Sequence, residues 1–297
     1  MAFLGIDHPL VAVGDLNKAI EVYRSLGFFI APPGQHPWGT STALALFRHQ
    51  ILEIVSIGDD TLLDGYETGG FRFGRHVQGY LNKSEGVALT ALFTEDAKGT
   101  ETALARRGVT CTGTIDFGRD VVRADGQPDR TKTTLKVFQS HTMPRLSVFA
   151  CQQHKRDLLE FPDRMIHPNG AHGFAAATIV AQDTAPVIDW FTRIHGTDAA
   201  QDARGHHCVS TTNGHWRIVS PAEFTGLYGT ELDTDFLADG PRIAALDVRV
   251  SDLGQLRKFT TDHALTPIDT DDAVIVNKMR DLGGIAMRFI ASPKTTD

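Results

Sequence analysis

The stretch Gly5-Ile6-Asp7-His8-Pro9-Leu10-Val11-Ala12-Val13-Gly14-Asp15-Leu16 decides how the rest of the chain is read. Ile6 to Val13 is rich in β-branched and aliphatic residues and reads as a strand carrying one imidazole, His8. Asp15 stands where it can cap a following helix. Leu16, Ala19, Ile20, Tyr23 and Leu26 recur at helical spacing, so one face of that helix is expected to be buried. Gly27 is the expected residue just past its end. Phe28 to Ile30 begins another strand, stopped by Pro32-Pro33-Gly34. Thr42 to Phe47 and Gln50 to Ile57 read as a hairpin turning near Arg48-His49. The order is βαβββ.

The same order recurs along the chain. Gly86 to Phe93, a helix from Glu95 to Arg107 closed by Gly108, and strands at Val109 to Ile115, Thr133 to Gln139 and Arg145 to Gln152 form a second unit. A third starts at Gly173 to Val180, with a helix from Thr184 to Ile194 and strands at His206 to Thr211 and His215 to Ser220. A fourth starts at Ile243 to Val250, followed by a helix capped by Asp252 and strands at Ala273 to Asn277 and Ile285 to Ile290. Units one and two are assigned to residues 1–160, and units three and four to 172–292. The boundary falls between Phe161 and Phe174, where Pro and Gly punctuate a stretch without periodicity. Residues 59–83 form a second irregular stretch, rich in Gly and aromatic residues, and are expected as a lid-like insertion.

A chain of 297 residues accommodates about two domains of ~150 residues. Its formal net charge of −7, with Lys and Arg dispersed, lacks the basic footprint of a nucleic-acid binder. Cys111, Cys151 and Cys208 form no disulfide framework, which suits a reducing cytoplasm. Asp7, His8 and Gly14 interrupt the apolar N-terminus, so neither a signal peptide nor a membrane span is expected. The chain shows no GxGxxG or phosphate-binding loop, and Ser140, Ser147 and Ser210 lie in no nucleophile elbow. Cys151, in an apolar strand, reads as packing.

Ile51-Leu52-Glu53-Ile54-Val55 carries one carboxylate on a second oily strand. A lone carboxylate among aliphatics is costly to bury unless paired or bound to a cation. His8 and Glu53 thus read either as core groups bonded to backbone and an Arg, or as half of a metal site.

Asp7-His8, Asp15-Leu16, Tyr23 to Phe28 and Leu52-Glu53 together resemble the first module of the glyoxalase / vicinal-oxygen-chelate superfamily. Gln35-His36-Pro37-Trp38-Gly39-Thr40, Phe149 to His154 and His167-Pro168-Asn169-Gly170 are similar to its glyoxalase-like domain branch. The resemblance implies an α+β fold of four βαβββ modules paired into two half-barrel domains, each curled around a concave pocket. It commonly implies a divalent metal chelating two substrate oxygens, with Zn, Fe(II), Mn, Ni or Co compatible with His and carboxylate ligands. The chain departs from the usual pattern. Unit two offers Leu89 or Thr90 where a second first-strand His belongs, and units three and four offer Ala176 and Ala245 or Leu246. The expected ligands are therefore His8, Glu53 and His154, with Gln152 or a metal-free site as alternatives to His154.

Within that frame Glu53 is expected to double as ligand and proton shuttle, and His36 to edge the pocket as a second catalytic candidate. Trp38, Phe71 and Arg72 are the expected substrate-binding residues, while Arg75 and Arg145 are further cations able to meet a substrate carboxylate. His206, His207 and His215 read as a solvated hairpin or a second metal site. The implied activity is that of a lyase or isomerase on a small oxygenated metabolite. An extradiol-type Fe(II) dioxygenase and a metal-free binding or resistance protein are the rivals. The expected partner is a small-molecule substrate, with a homodimer left open and neither nucleic acid nor membrane involved.

Overall fold

The computed structural model of the protein describes residues 4–123 and 125–292. Strand β1 (Gly5–Ala12) leads to Asp15, whose carboxylate accepts the Lys18 N–H at 3.0 Å and starts helix α1 (Leu16–Ser25). Strands β2 (Gly34–Gln35), β3 (Thr40–Phe47) and β4 (Gln50–Ile57) complete the first unit. A helix α2 (Phe73–Leu81) connects to unit two, which comprises β5 (Gly86–Phe93), α3 (Ala97–Ala105), β6 (Gly113–Phe117), a side hairpin β7 (Asp120–Val122) and β8 (Pro128–Arg130), β9 (Thr133–Phe138) and β10 (Val148–Gln153). Unit three holds β11 (Ala171–Val180), α4 (Ala185–His195), β12 (Ala200–Gln201), β13 (His207–Ser210) and β14 (His215–Val219). Helix α5 (Pro221–Tyr228) connects to unit four: β15 (Arg242–Val250), α6 (Leu253–Asp262), β16 (Ile268–Asp269), β17 (Ala273–Val276) and β18 (Ala286–Ala291).

Each pair of units shares one curled eight-stranded sheet, in the orders β2-β3-β4-β1-β5-β10-β9-β6 and β12-β13-β14-β11-β15-β18-β17-β16. The fold is mixed α+β, and the two sheets are half-barrels of the same topology. In each, the first strands of the two units meet antiparallel at the centre, while each runs parallel to the last strand of its own unit. A shared apolar core joins the sheets, with α1 and α4 contributing from either side. The Tyr23 hydroxyl on α1 donates to the Leu282 carbonyl at 2.9 Å, and the Trp190 indole on α4 donates to the Leu146 carbonyl at 2.9 Å. Each amphipathic helix thus reaches the opposite sheet's units through a polar tip on an apolar body. Among the described residues, no helix is long and apolar enough to cross a membrane.

Two of the segments that differ from the expectations bear on the first half-barrel. Phe28 to Ile30 is not a strand, because its amides bond elsewhere. The Phe28 N–H donates to the Tyr23 carbonyl and the Phe29 N–H to His167 Nδ1, at 3.1 and 2.9 Å. Accepting on Nδ1 leaves His167 to donate from Nε2 to the Leu46 carbonyl at 2.9 Å, so this imidazole ties the interdomain stretch to unit one. The stretch expected to be irregular over 59–83 contains α2, whose Phe73, Val77 and Tyr80 are buried at helical spacing. Gly74 masks that pattern in the sequence, yet a Cβ there would lie 2.3 Å from the Trp38 carbonyl.

Candidate functional site

The register of β1 against β5 slips between Ile6 and His8, which makes Asp7 the extra residue of a bulge. Asp7 is wholly buried and accepts from Arg156 Nη2 and Nη1 at 3.0 and 3.3 Å. Its Oδ1 also lies 3.6 Å from His8 Nδ1, which has no hydrogen-bond partner. Strand β4 runs parallel to β1 with Glu53 beside Leu10, and this register brings Glu53 Oε2 to 3.4 Å from His8 Nε2. The other carboxylate oxygen, Oε1, accepts from the Thr42 hydroxyl on β3 at 2.7 Å.

His36 enters from a turn. Its backbone N–H donates to the Thr40 carbonyl at 2.8 Å, and Gly39 N–H closes back onto the His36 carbonyl at 3.1 Å. Gly39 has φ +83, and a Cβ on it would meet the Asp59 carbonyl oxygen at 2.2 Å, so the turn needs glycine for both conformation and space. The turn sets His36 Nδ1 at 3.0 Å from the Thr40 hydroxyl and Nε2 at 4.0 Å from Glu53 Oε1. Trp38 stacks on His36 at 4.8 Å and packs at a tilt against Phe73 at 4.7 Å between ring centroids. Phe117, from the opposite edge strand β6, packs edge-on against Trp38 at 4.9 Å. The curl of the sheet therefore brings its two edges together over a narrow cavity of about 50 Å³, where His8, His36, Glu53, Gln153 and Arg119 meet the aromatic wall. That space holds a few waters or a small ligand group. A wider groove of about 950 Å³ opens near Arg242 and Phe236, but no His or Cys lines it.

Burial alone would push His8 down, but Asp7 and Glu53 outweigh it, so the imidazole titrates above its usual value. Burial pushes Asp7 up, and His8 and Arg156 more than reverse this. His36 is driven down to about 4 by burial, against the pull of Glu53, and is neutral at ordinary pH. Burial pushes the Cys151 thiol well up, with Asp7 and Glu53 adding to it, so Cys151 stays protonated and is no nucleophile.

The structure thus brings His8, Glu53, His36 and Trp38 together. It leaves out His154, which is exposed with Nε2 2.9 Å from the Thr134 hydroxyl. On β10, Phe149, Cys151 and Gln153 face the cavity. The alternation of a strand turns Gln152 the other way, where its side chain caps α3 by bonding Ala97 N–H and the Glu95 carbonyl. Gln152 is therefore no substitute ligand, and Gln153 holds the inward position. Phe71 is buried behind Phe73 at 5.9 Å and lies outside the cavity lining. Arg72 is half-exposed and paired with Glu67, Arg75 pairs with Asp64, and Arg145 is buried against Tyr80, all away from the cavity. The cation that does line it is Arg119, which no local sequence signal singles out. Among the described residues, no three His, Cys, Asp or Glu side chains converge as a ready-made metal site.

The second half-barrel carries different chemistry on the corresponding strands. Thr178 on β11 stands beside Arg217 on β14, as Leu10 stands beside Glu53. Arg217 donates to the wholly buried Asp247 on β15 at 2.8 Å, and Arg288 on β18 donates to the same carboxylate oxygen at 3.3 Å. The Tyr228 hydroxyl from α5 donates to the other oxygen at 2.8 Å. Two guanidinium groups on one carboxylate leave no electrostatic room for a metal cation. His206 pairs with Asp202 at 3.0 Å, and His215 lies 3.3 Å from Arg217 Nη2.

A family model described as "Glyoxalase-like domain" matches residues 6–195, more than half of the chain and all of the first half-barrel's site. The chain belongs to the glyoxalase-like domain family. Among solved structures, a hypothetical protein from Staphylococcus aureus aligns with a TM-score of 0.67 at 12% identity, covering 97% of this chain and 100% of that one. A triple mutant of 4-hydroxymandelate synthase from Streptomyces coelicolor aligns with a TM-score of 0.62 at 12% identity, covering 98% and 93%. A xylose isomerase-like TIM barrel/4-hydroxyphenylpyruvate dioxygenase fusion protein aligns with a TM-score of 0.56 at 10% identity, covering 100% of this chain and 50% of that one. At such identities the likeness is one of fold, and fold leaves the reaction open. No curated protein matches the chain.

Proposed function

We propose that this glyoxalase-like protein is a metal-dependent enzyme of lyase or isomerase type acting on a small oxygenated metabolite, with the ion held by His8, His36 and Glu53. One observation carries the reading. Both imidazoles turn Nε2 toward the Glu53 carboxylate, at 3.4 and 4.0 Å, while their Nδ1 atoms face Asp7 and Thr40. Metal-ligating His residues characteristically have the other ring nitrogen oriented by a carboxylate or similar acceptor. Donors sharing an ion at about 2.1 Å lie roughly 3–3.4 Å apart. The His8–Glu53 spacing already fits, and His36, 4.0 Å from the second Glu53 oxygen, would have to move closer to complete the set. His36, replacing His154 as third donor, is also the neutral imidazole that ligation requires.

A bound divalent ion supplies Lewis acidity toward two neighbouring substrate oxygens. The chain's own residues supply the rest. Thr42 fixes one oxygen of Glu53, so the carboxylate has one orientation and can hold a proton taken from the substrate. Trp38, Phe73 and Phe117 wall the cavity with apolar surface, which strengthens the charge interactions inside it.

The His8–Glu53 ion pair favours one competing reading, because it is self-sufficient without a metal and suits a metal-free binding protein. Elemental analysis of protein purified without chelator or His-tag decides between them. The proposal expects stoichiometric metal, lost in His8→Ala, His36→Ala and Glu53→Ala. Absence of metal from the unaltered protein overturns it. Stoichiometric iron with oxygen uptake would instead point to an extradiol-type dioxygenase, chemistry that two His and one carboxylate also support.

A further inference from the structure

Arg119 is an uncompensated cation at the mouth of this cavity. It follows β6 at a tight corner, where a Cβ on Gly118 would lie 2.2 Å from the Thr131 carbonyl oxygen. Its backbone is fixed from both sides: its N–H donates to the Thr131 hydroxyl at 2.8 Å, and its carbonyl accepts the Thr131 N–H at 2.9 Å. The side chain crosses to the opposite edge of the half-barrel, where a Cβ on Gly34 would sit 3.0 Å from Nη1. Strand β2 is thus bare where the guanidinium lies.

The carboxylates around the cavity are occupied elsewhere. Asp7 is paired with Arg156, Glu53 with His8, and Asp120 with Arg130 at 2.6 Å, while Asp116 accepts from the Thr134 hydroxyl at 2.6 Å. Among the described residues, the Arg119 guanidinium has no ion pair and no hydrogen bond, although it is half-buried and lines the cavity beside His36. Trp38 is 1% exposed, lines the same cavity, and its indole N–H has no acceptor. Unanswered donors around a small cavity call for acceptor oxygens from a ligand. A guanidinium is the donor best shaped for the two oxygens of a carboxylate.

We propose that the substrate of this site carries a carboxylate and that Arg119 receives it. This rests on the reading of the cavity as an active site and adds the substrate class: a small organic acid whose remaining oxygens reach toward His8, His36 and Glu53. The experiment is calorimetric titration with glycolate and with glycolamide, its uncharged counterpart of the same shape. The proteins are the unaltered chain and Arg119→Gln, each as purified and after chelator dialysis.

The decisive comparison is in dialysed protein, where a metal cannot itself prefer the charged probe. Glycolate is expected to bind the unaltered chain at least about tenfold more tightly than glycolamide, as a charge-assisted pair supports. Arg119→Gln is expected to abolish that preference with metal content and melting temperature unchanged. Equal binding of the two probes by the unaltered chain, or a preference that survives in Arg119→Gln, overturns the proposal. Failure of the metal reading appears separately, as absent metal in the undialysed protein.

Discussion

Asp247→Asn tests whether the second half-barrel is closed by its buried charges. The substitution keeps the shape of the side chain and removes one negative charge. Asp247 is 0% exposed and Arg217 6%, so water cannot replace the lost partner. Breaking a buried pair from one side typically costs about 3–5 kcal/mol. Arg288 keeps Asp272 at 2.9 Å, and Arg217 keeps Asp202 at 3.7 Å, so the lower end of about 3 kcal/mol is expected. For a chain of this size that corresponds to a fall of roughly 6–12 °C in melting temperature. The assay is urea unfolding followed by circular dichroism, completed as a cycle with Arg217→Met and the double variant. The double variant is expected to be less destabilised than Asp247→Asn alone, because no uncompensated cation remains buried. A loss below about 0.5 kcal/mol for Asp247→Asn, the usual range of surface changes, would refute the reasoning. So would a double variant in which the two losses simply add.

Three further outcomes are expected. His195 accepts the Trp216 indole N–H on Nε2 at 2.8 Å, and burial, with Arg107, pushes its pKa down to about 3. The unfolded chain, with a His pKa of about 6.5, therefore binds the extra proton first, so stability is full above about pH 6.5 and falls toward pH 3. At pH 5 the loss from this residue is about 2 kcal/mol, and urea unfolding of His195→Asn should show a correspondingly shallower pH dependence between pH 7 and 5. Gly39→Ala should cost at least about 1–2 kcal/mol from its left-handed φ alone and should displace His36, so metal content and melting temperature should fall together. His154→Ala should leave metal content intact and stability within about 0.5 kcal/mol, since the side chain is exposed; loss of metal there would restore it as a ligand.

The local elements were legible because their signals are local. Asp15 and Asp252 cap α1 and α6 with their own side chains where the sequence places them, and Gly196 ends α4 at φ +66, whereas α3 is capped by Asp96, one residue inside the expected helix. The strands at Gln50–Ile57 and Gly86–Phe93 appear where their aliphatic runs place them. His8 and Glu53 stood out as polar groups on oily strands, and the register places them together. Helices α2 and α5 were harder to see, because glycines and a short length dilute their periodicity. The misplacement of His154 has a sharper cause. A strand alternates faces with every residue, so an error of one position exchanges Gln153 for its neighbours on the other side.

The sequence by itself determined the βαβββ rhythm, the caps and the first two polar groups of the site. Hydrogen bonding within a unit and the period of its apolar residues are properties of contiguous chain. Only the tertiary structure brought His36, the cavity wall and the Arg119 guanidinium to the His8–Glu53 pair. His36 is placed by a turn, Phe117 and Arg119 come from the opposite sheet edge, and all three are far in sequence from His8. Sheet curl and strand register make those meetings. They depend on how side chains from distant strands pack, which no short window of sequence encodes.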